Sequence, residues 1–284
     1  MKNTITYLLL AMGIFSLFHK SKAVAQPKLE SPKHHLAFIL LDQTEMPSAE
    51  SIVSNFKDFA ITGEKLSYDK EGSSDDILVV QLEGIGPVFI ALKKAAIPHG
   101  EAENAFQYSL SSFREGAEIK AHKAHLIVTL MGVQDGNNER DVMSAFTSLL
   151  ASVNKSSHSV GVYWGNAGAT HTPDFFNLLA AEKDQLSRIM LWTGISRAPE
   201  ENNRISYLTL GMNQLALPDL YLICKVDDAS EGMGRLFDLL DYVITRGEAI
   251  PDGDTVGEDD EQRIPVNYVK SPADKKTIVC RIEL

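Results

Sequence analysis

One-sided apolar stretches alternating with short apolar runs constrain this chain more than any other feature. Val142, Ala145, Phe146, Leu149, Leu150 and Val153 recur at i, i+3, i+4 and i+7, which places them along one flank of a helix. Ile52, Val53, Phe56 and Phe59 repeat the pattern after Pro47-Ser48, as do Ala102, Ala105, Phe106, Leu110 and Phe113 between Pro98 and Gly116. Met233, Leu236, Phe237, Leu240, Val243 and Ile244 do so between Asp227-Asp228 and Gly247. "TPDFFNLLAAEKDQ" reads as a further helix. A helix with one apolar flank needs a second apolar surface to cover it.

The short runs supply that surface. "LAFILL", "SVGVYWG", "IMLWTGI", "ISYLTLGM", "DLYLICKV", "RIPVNYVK" and "TIVCRIEL" have strand length and composition. "ILVVQLE" and "PVFIALKK" flank Gly84-Ile85-Gly86 as the arms of a hairpin. "HLIVTLMG" lacks polar alternation, so cover is expected on both of its faces. The fold class that follows is α+β, with mixed or antiparallel sheets covered by helices. In the first half the order β-α-β-β-α-β is that of ferredoxin-like folds. Residues 36–284 then form a single large α+β domain, or two halves at about 36–132 and 133–284.

Residues 1–25 read differently. Lys2 precedes an uncharged apolar block at 5–18, and Ala23-Val24-Ala25 follows. A positive start, a short apolar core and an A-x-A site form a secretory signal peptide, and the block falls short of the ~20 residues that span a bilayer. Cleavage after Ala25 is expected, giving a periplasmic or extracellular protein with no stable membrane span. The alternative is an N-terminal membrane anchor, since Lys20 and Lys22 lie close to the cut. Residues 26–35, polar with two prolines, read as a linker. The formal charge of −11 falls to −14 once Lys2, Lys20 and Lys22 are removed. Such a surface repels phosphate backbones, so nucleic acid is not an expected partner, whereas a protein or peptide is.

The stretch "VGVYWGNAGATHTPDFF" is the candidate ligand site. A strand-like run ends in Trp164, glycines follow at 165 and 168, and Thr172-Pro173 opens a helix. Strand, glycine loop and helix start together present backbone N–H groups, and Trp164, Gly165, Asn166, Gly168, Thr170 and His171 would line that rim. The spacing matches no phosphate-binding signature, and Asp174 places a negative charge in the first turn. Capping by Thr172 and Pro173 alone accounts for the stretch as a structural turn.

Other chemistry finds little support. His122 and His125 stand three apart before an apolar run, so on a strand they would face opposite ways. No H-E-x-x-H occurs to join either with His99 or His171 around zinc, and no metal or cofactor is expected. In "PDGDTVGEDDE", read as a calcium loop from Asp252, Val256 and Arg263 occupy positions that need oxygen ligands. No G-x-S-x-G elbow is present. Cys224 and Cys280 alternate with apolar residues in strand-like runs, which suits either two buried thiols or a disulfide between neighbouring strands.

"AHKAHLIVTLMG", "VGVYWGNAGATHTPDFF", "LWTGI" and "GRLFDLLDYVITRGEAIPDGDTVG", in this order, resemble the bacterial family known as domain of unknown function 4261. The resemblance extends over roughly residues 36–284, as for one folded unit. It implies no activity, substrate, cofactor or site residue. Two classes of function stay open. A binding or interaction module would show a flat or grooved patch with exposed aromatics. A hydrolase or transferase would need a pocket at the Trp164–His171 loop, with His171 or His99 as base and Glu101 or Asp174 orienting it.

Overall fold

The computed structural model describes residues 25–30, 32–61, 63–134, 136–182, 184–257 and 261–284. The signal-peptide reading falls almost wholly on residues outside these. The chain builds an α+β fold with two sheets. Sheet one has the order β2-β3-β4-β5-β1-β6-β7. Its strands are β1 (His34–Leu41), β2 (Leu66–Ser74), β3 (Ile77–Leu82), β4 (Gly86–Lys93), β5 (Ala124–Met131), β6 (Ser159–Trp164) and β7 (Ala169–His171). Every pairing in it is antiparallel. Sheet two has the order β11-β12-β13-β10-β9-β8. It comprises β8 (Gly194–Glu200), β9 (Arg204–Leu210), β10 (Leu220–Lys225), β11 (Thr255–Val256), β12 (Ile264–Lys270) and β13 (Ile278–Glu283), and only β10 and β13 run parallel.

The ferredoxin-like order does not hold. That topology would set β1 beside β4 as parallel central neighbours, whereas β5 lies between β4 and β1 and pairs antiparallel with each. The reason lies between β4 and β5. Instead of one crossover helix, residues 94–123 form the four-residue α2 (Glu101–Asn104) and three short 3₁₀ turns. His99 and Gly100 both adopt positive φ at its start. Ser109, extended at φ −85° and ψ 141°, interrupts the periodic stripe that reads as a single helix. The segment lies on the outer face of β1 and β6, where Ala102 and Ala105 pack against Leu40 and Tyr163.

The opposite, inner face carries Ala37, Ile39, Leu126, Val128, Val80, Ile90, Val162 and Trp164. It is covered by α1 (Ala49–Phe59), α3 (Glu139–Lys155) and α4 (Pro173–Ala181). Ser48 caps α1 by accepting from Ser51 N, and Asn138 caps α3 through Arg140 N. A second short helix, α5 (Gln185–Trp192), occupies most of "IMLWTGI", the predicted strand, and β8 begins only at Gly194. Both glycine and helix cap decide this: Asp184 accepts from Ser187 N at the helix start, and the apolar run is shared between two elements. Arg188 on α5 is buried, and its guanidinium donates to Phe59 O (2.6 Å), Ala180 O (2.9 Å) and Ser144 O (2.8 Å), so one side chain satisfies carbonyls from α1, α4 and α3.

In sheet two, α6 (Ala229–Arg246) buries Leu236, Leu240, Val243 and Ile244 in the same apolar cluster as Leu220, Leu222 and Ile282. That cluster runs without a break from the inner face of sheet one to that of sheet two. Among the described residues no helix is long and apolar enough to cross a membrane. Cys224 and Cys280 are free, buried thiols. Their strands are neighbours, but Cys280 lies level with Leu220. Cys224 is four residues further along, an offset of about 13 Å that a disulfide cannot span.

Candidate functional site

All six residues of the candidate rim lie in one tight hairpin between β6 and β7, but the structure does not leave it open. Trp164, Thr170 and His171 have no exposed surface, and Gly165, Asn166 and Gly168 are half-buried. The loop is a joint between the two sheets. A Cβ on Gly194 would lie 2.7 Å from Ala167 O, and one on Gly211 would lie 2.7 Å from Ala167 Cα. Gly211 also sits at φ +98°, so both contact and conformation require glycine there. The Asn166 side chain accepts from Leu36 N (3.4 Å), and Gly165 N donates to Leu36 O (3.2 Å), fixing the loop to β1.

A buried hydrogen-bond chain ties the joint together. Trp164 Nε1 donates to Gln214 Oε1 (2.8 Å), and Gln214 Nε2 donates to Trp192 O (2.7 Å). Trp192 Nε1 donates to Thr147 Oγ1 (2.8 Å), which donates to Met143 O (2.7 Å). Thr170 Oγ1 donates to Ala102 O. These are the partners that buried polar groups require. Sequence patterning finds the loop and misses its role, because Gln214 and Thr147 carry no local signal of reaching it.

His171 is likewise committed. Its Nε2 lies 3.1 Å from Leu191 O, an acceptor, so Nε2 carries the proton. Nδ1 then accepts from Ser109 Oγ at 2.7 Å. Burial holds the ring neutral, with its pKa lowered to about 4. This serine–histidine pair is wholly enclosed, and Ser109 Oγ in turn contacts Ser111 Oγ at 2.7 Å. Neither Glu101 nor Asp174 contacts His171. Glu101 accepts from Tyr163 OH (2.9 Å), which together with burial raises that phenol to about 12. Asp174 is exposed on an open groove of about 490 Å³ with Arg114, Glu115, Glu118 and Lys120.

The histidine–carboxylate pair that does form is His122 with Glu103, at 2.6 Å. The His122 side chain has no exposed surface, and its Nε2 accepts from Ile97 N at 2.7 Å, so both nitrogens are engaged. His122 and His125 do not face opposite ways as expected: their ring centroids are 6.2 Å apart. His122 precedes β5, so strand alternation does not govern it. Among the described residues no group of three or more His, Cys, Asp or Glu side chains is gathered as a metal site would need. In the loop after α6, Asp252 accepts from Tyr268 N (3.1 Å) and Asp254 from Thr255 N (2.9 Å).

Two accessible features remain. One is a groove of about 310 Å³ between α6 and the β11–β12 hairpin, lined by Arg235, Asp238, Leu239, Tyr242, Val256 and Ile264. The other is the outer face of β3, β4 and β5, beyond the reach of residues 94–123. There the register forms two transverse rows, Ile77–Ala91–Ile127–Phe38 and Val79–Phe89–Thr129–Leu36. On β2 the second row continues to Asp69, opposite Val79, and Val79 itself is buried. Ile77 (41% exposed), Phe89 (38%) and, two positions beyond Thr129, Met131 (48%) present large apolar surface to solvent. Phe38 stiffens one end by stacking on Tyr163 (centroids 5.5 Å apart) with His125 at its edge (5.8 Å).

Fold and surface together define a two-sheet α+β protein with a sealed inter-sheet joint and an uncovered apolar sheet face. Residues 208–283 match the family described as Domain of unknown function (DUF4261). The matched stretch contains "GRLFDLLDYVITRGEAIPDGDTVG" and most of the residues lining the α6 groove. No curated protein and no solved structure matches the chain.

Proposed function

We propose that this chain is an exported binding protein that engages a macromolecular partner through the outer face of β3, β4 and β5. The observation that carries the reading is the clustering of Ile77, Phe89 and Met131, three of the large exposed apolar side chains, on one sheet face, with Asp69 of β2 at its margin. Three strands at ~4.8 Å spacing and about three rows of outward residues give a patch on the order of 300 Å². A contiguous apolar area of that size on a monomer commonly marks an interaction site. Of the two histidines that the catalytic alternative would use as base, His171 is held at both nitrogens by structural partners, while His99 is exposed. The test is a photo-crosslinking amino acid at Phe89 in cells making the full chain. Covalent adducts are expected at 89 and absent at the control position Leu178, an exposed apolar residue on α4. Absence of any adduct at 89 would remove this reading.

A further inference from the structure

We propose that residues 94–100 form a strap over the outer face of sheet one that lifts when His122 takes up a proton. The inference concerns how the strap is attached and stands whether or not the face of β3 to β5 has a partner. The strap joins the end of β4 to α2 and is lightly seated. Ile97 packs into the small cluster of Leu40, Tyr163 and Phe38, while Lys94, Ala95, Ala96, Pro98 and His99 are exposed. A stretch with so little buried surface opens locally at low cost. At its far end His99, at φ 62°, holds a left-handed backbone that strains a residue with a side chain. Among the described residues, the hydrogen bonds that tie the strap to the sheet end on imidazoles. Ala95 O accepts from His125 Nδ1 (2.8 Å), and Ile97 N donates to His122 Nε2 (2.7 Å). The exposed Lys94–Asp76 ion pair (2.9 Å) adds little.

A proton and the Ile97 N–H compete for the one lone pair on His122 Nε2, so an imidazolium there and the bond to Ile97 exclude each other. On its other side His122 Nδ1 donates to Glu103 Oε1, and Glu103 Oε2 is buried without a hydrogen-bond partner. Glu103 lies outside the strap, on α2, which stays anchored by Thr170 Oγ1 to Ala102 O and by Tyr163 OH to Glu101. The carboxylate therefore remains beside His122 after the strap lifts, where it stabilises the charged ring. Lifting removes the donor that opposes protonation and keeps the anion that favours it. The other groups facing the site are His125, its ring 6.2 Å away, and, against His125, Lys93 of β4 and the Phe38 ring of β1. Burial, with His122 and Lys93 nearby, holds His125 below the ordinary range, and its Nδ1 donates to Ala95 O in either protonation state, so His125 is not the trigger. A ring that gains its proton only in the lifted state makes lifting more favourable as pH falls. For an imidazole that titrates near about 6.5 in water, the ratio of lifted to seated strap rises by up to roughly 30-fold at about pH 5. Lifting withdraws Ile97 from Leu40 and Phe38 and lengthens the uncovered face by the row Lys93–His125–Leu40.

Amide hydrogen exchange of the full-length chain at pH 7 and pH 5, with each rate divided by the intrinsic rate at that pH, reads the strap. The Ile97 amide should lose up to ~30-fold in protection at the lower pH, while amides of β1 and α3 lose far less. His122→Gln, whose side-chain oxygen can accept from Ile97 N and does not titrate, should hold Ile97 protection equal at both pH values. Glu103→Gln removes the anion that favours the proton and should move release to lower pH. Glu103 is partly exposed (28%), so this second variant serves if the buried His122→Gln fails to fold by circular dichroism. Ile97 protection that does not change with pH, a loss shared equally by β1 and α3, or release at an unchanged pH in a folded variant overturns the inference.

Discussion

Replacing Gln214 by Met tests the inter-sheet joint at its least replaceable point. Gln214 is fully buried and serves two partners, accepting from Trp164 Nε1 and donating to Trp192 O. Methionine keeps the volume and offers neither bond. Two polar groups are then stranded away from water, each at about 1–3 kcal/mol. A loss on the order of 3 kcal/mol follows, with some relaxation allowed for. For a protein of this size that corresponds to roughly 6–12 °C in Tm. The chain's two tryptophans are the two that Gln214 connects, so intrinsic fluorescence reports on the joint alone. Denaturant unfolding followed by emission should show the midpoint falling at an unchanged slope. A loss under ~1 kcal/mol with native emission unshifted would mean that the two bonds do not hold the joint, against the cost expected for orphaned buried groups.

Three further outcomes are expected. Burial lowers His35 and His171 to about 4. As pH falls from 6.5, the unfolded chain takes up protons that these rings refuse, and stability drops until about pH 4, by roughly 3 kcal/mol per ring. Asp219, raised to about 6 by burial, binds its proton earlier in the folded state and offsets about one ring over the same window. Denaturant midpoints between pH 7 and 4 should show the net loss, and His35→Gln should flatten it; an unchanged slope would refute the assignment. Both cysteines are buried, and burial raises the Cys280 thiol to about 12 and the Cys224 thiol in the same direction, so both should resist alkylation in the native state and react once unfolded, equally with and without reductant; a native disulfide by mass spectrometry would contradict the strand register. If the chain is exported as its first 25 residues suggest, the native protein should begin at Gln26 by mass spectrometry, and a species retaining Met1 would defeat that reading.

Where burial is one-sided, local pattern and structure agree. The stripe of α6 places Leu236, Phe237, Leu240, Val243 and Ile244 inward as spacing requires, whereas α3 and β10, whose stripe and alternation also read correctly, are buried on all sides. The failures have physical causes. β2, "LSYDKEGSS", is polar because it is an edge strand with an irregularity between Asp69 and Ser74, and charge on an edge discourages further pairing. Its sequence therefore resembles a loop. "IMLWTGI" is apolar in both of its elements because both are buried, which removes the periodicity that separates helix from strand. The Trp164–His171 loop shows its glycines plainly. Gly165 abuts Leu36 of its own sheet, and the close approach across the joint is made by Gly194 and Gly211 against Ala167, positions distant in sequence, as is Gln214. The exposed sheet face was legible only in part: "ILVVQLE" and "PVFIALKK" look like core strands, and nothing local says that residues 94–123 cover β1 and β6 while leaving Ile77, Phe89 and Met131 exposed.

The boundary of the matched segment has its own consequence. A cut before residue 208 falls inside β9, severing Arg204, Ile205, Ser206 and Tyr207 from the strand and with them most of its ladder to β10. It also removes β8 and leaves Gly211 facing empty space where Ala167 had rested. Residues 208–283 expressed alone would thus expose a raw sheet margin to any passing strand.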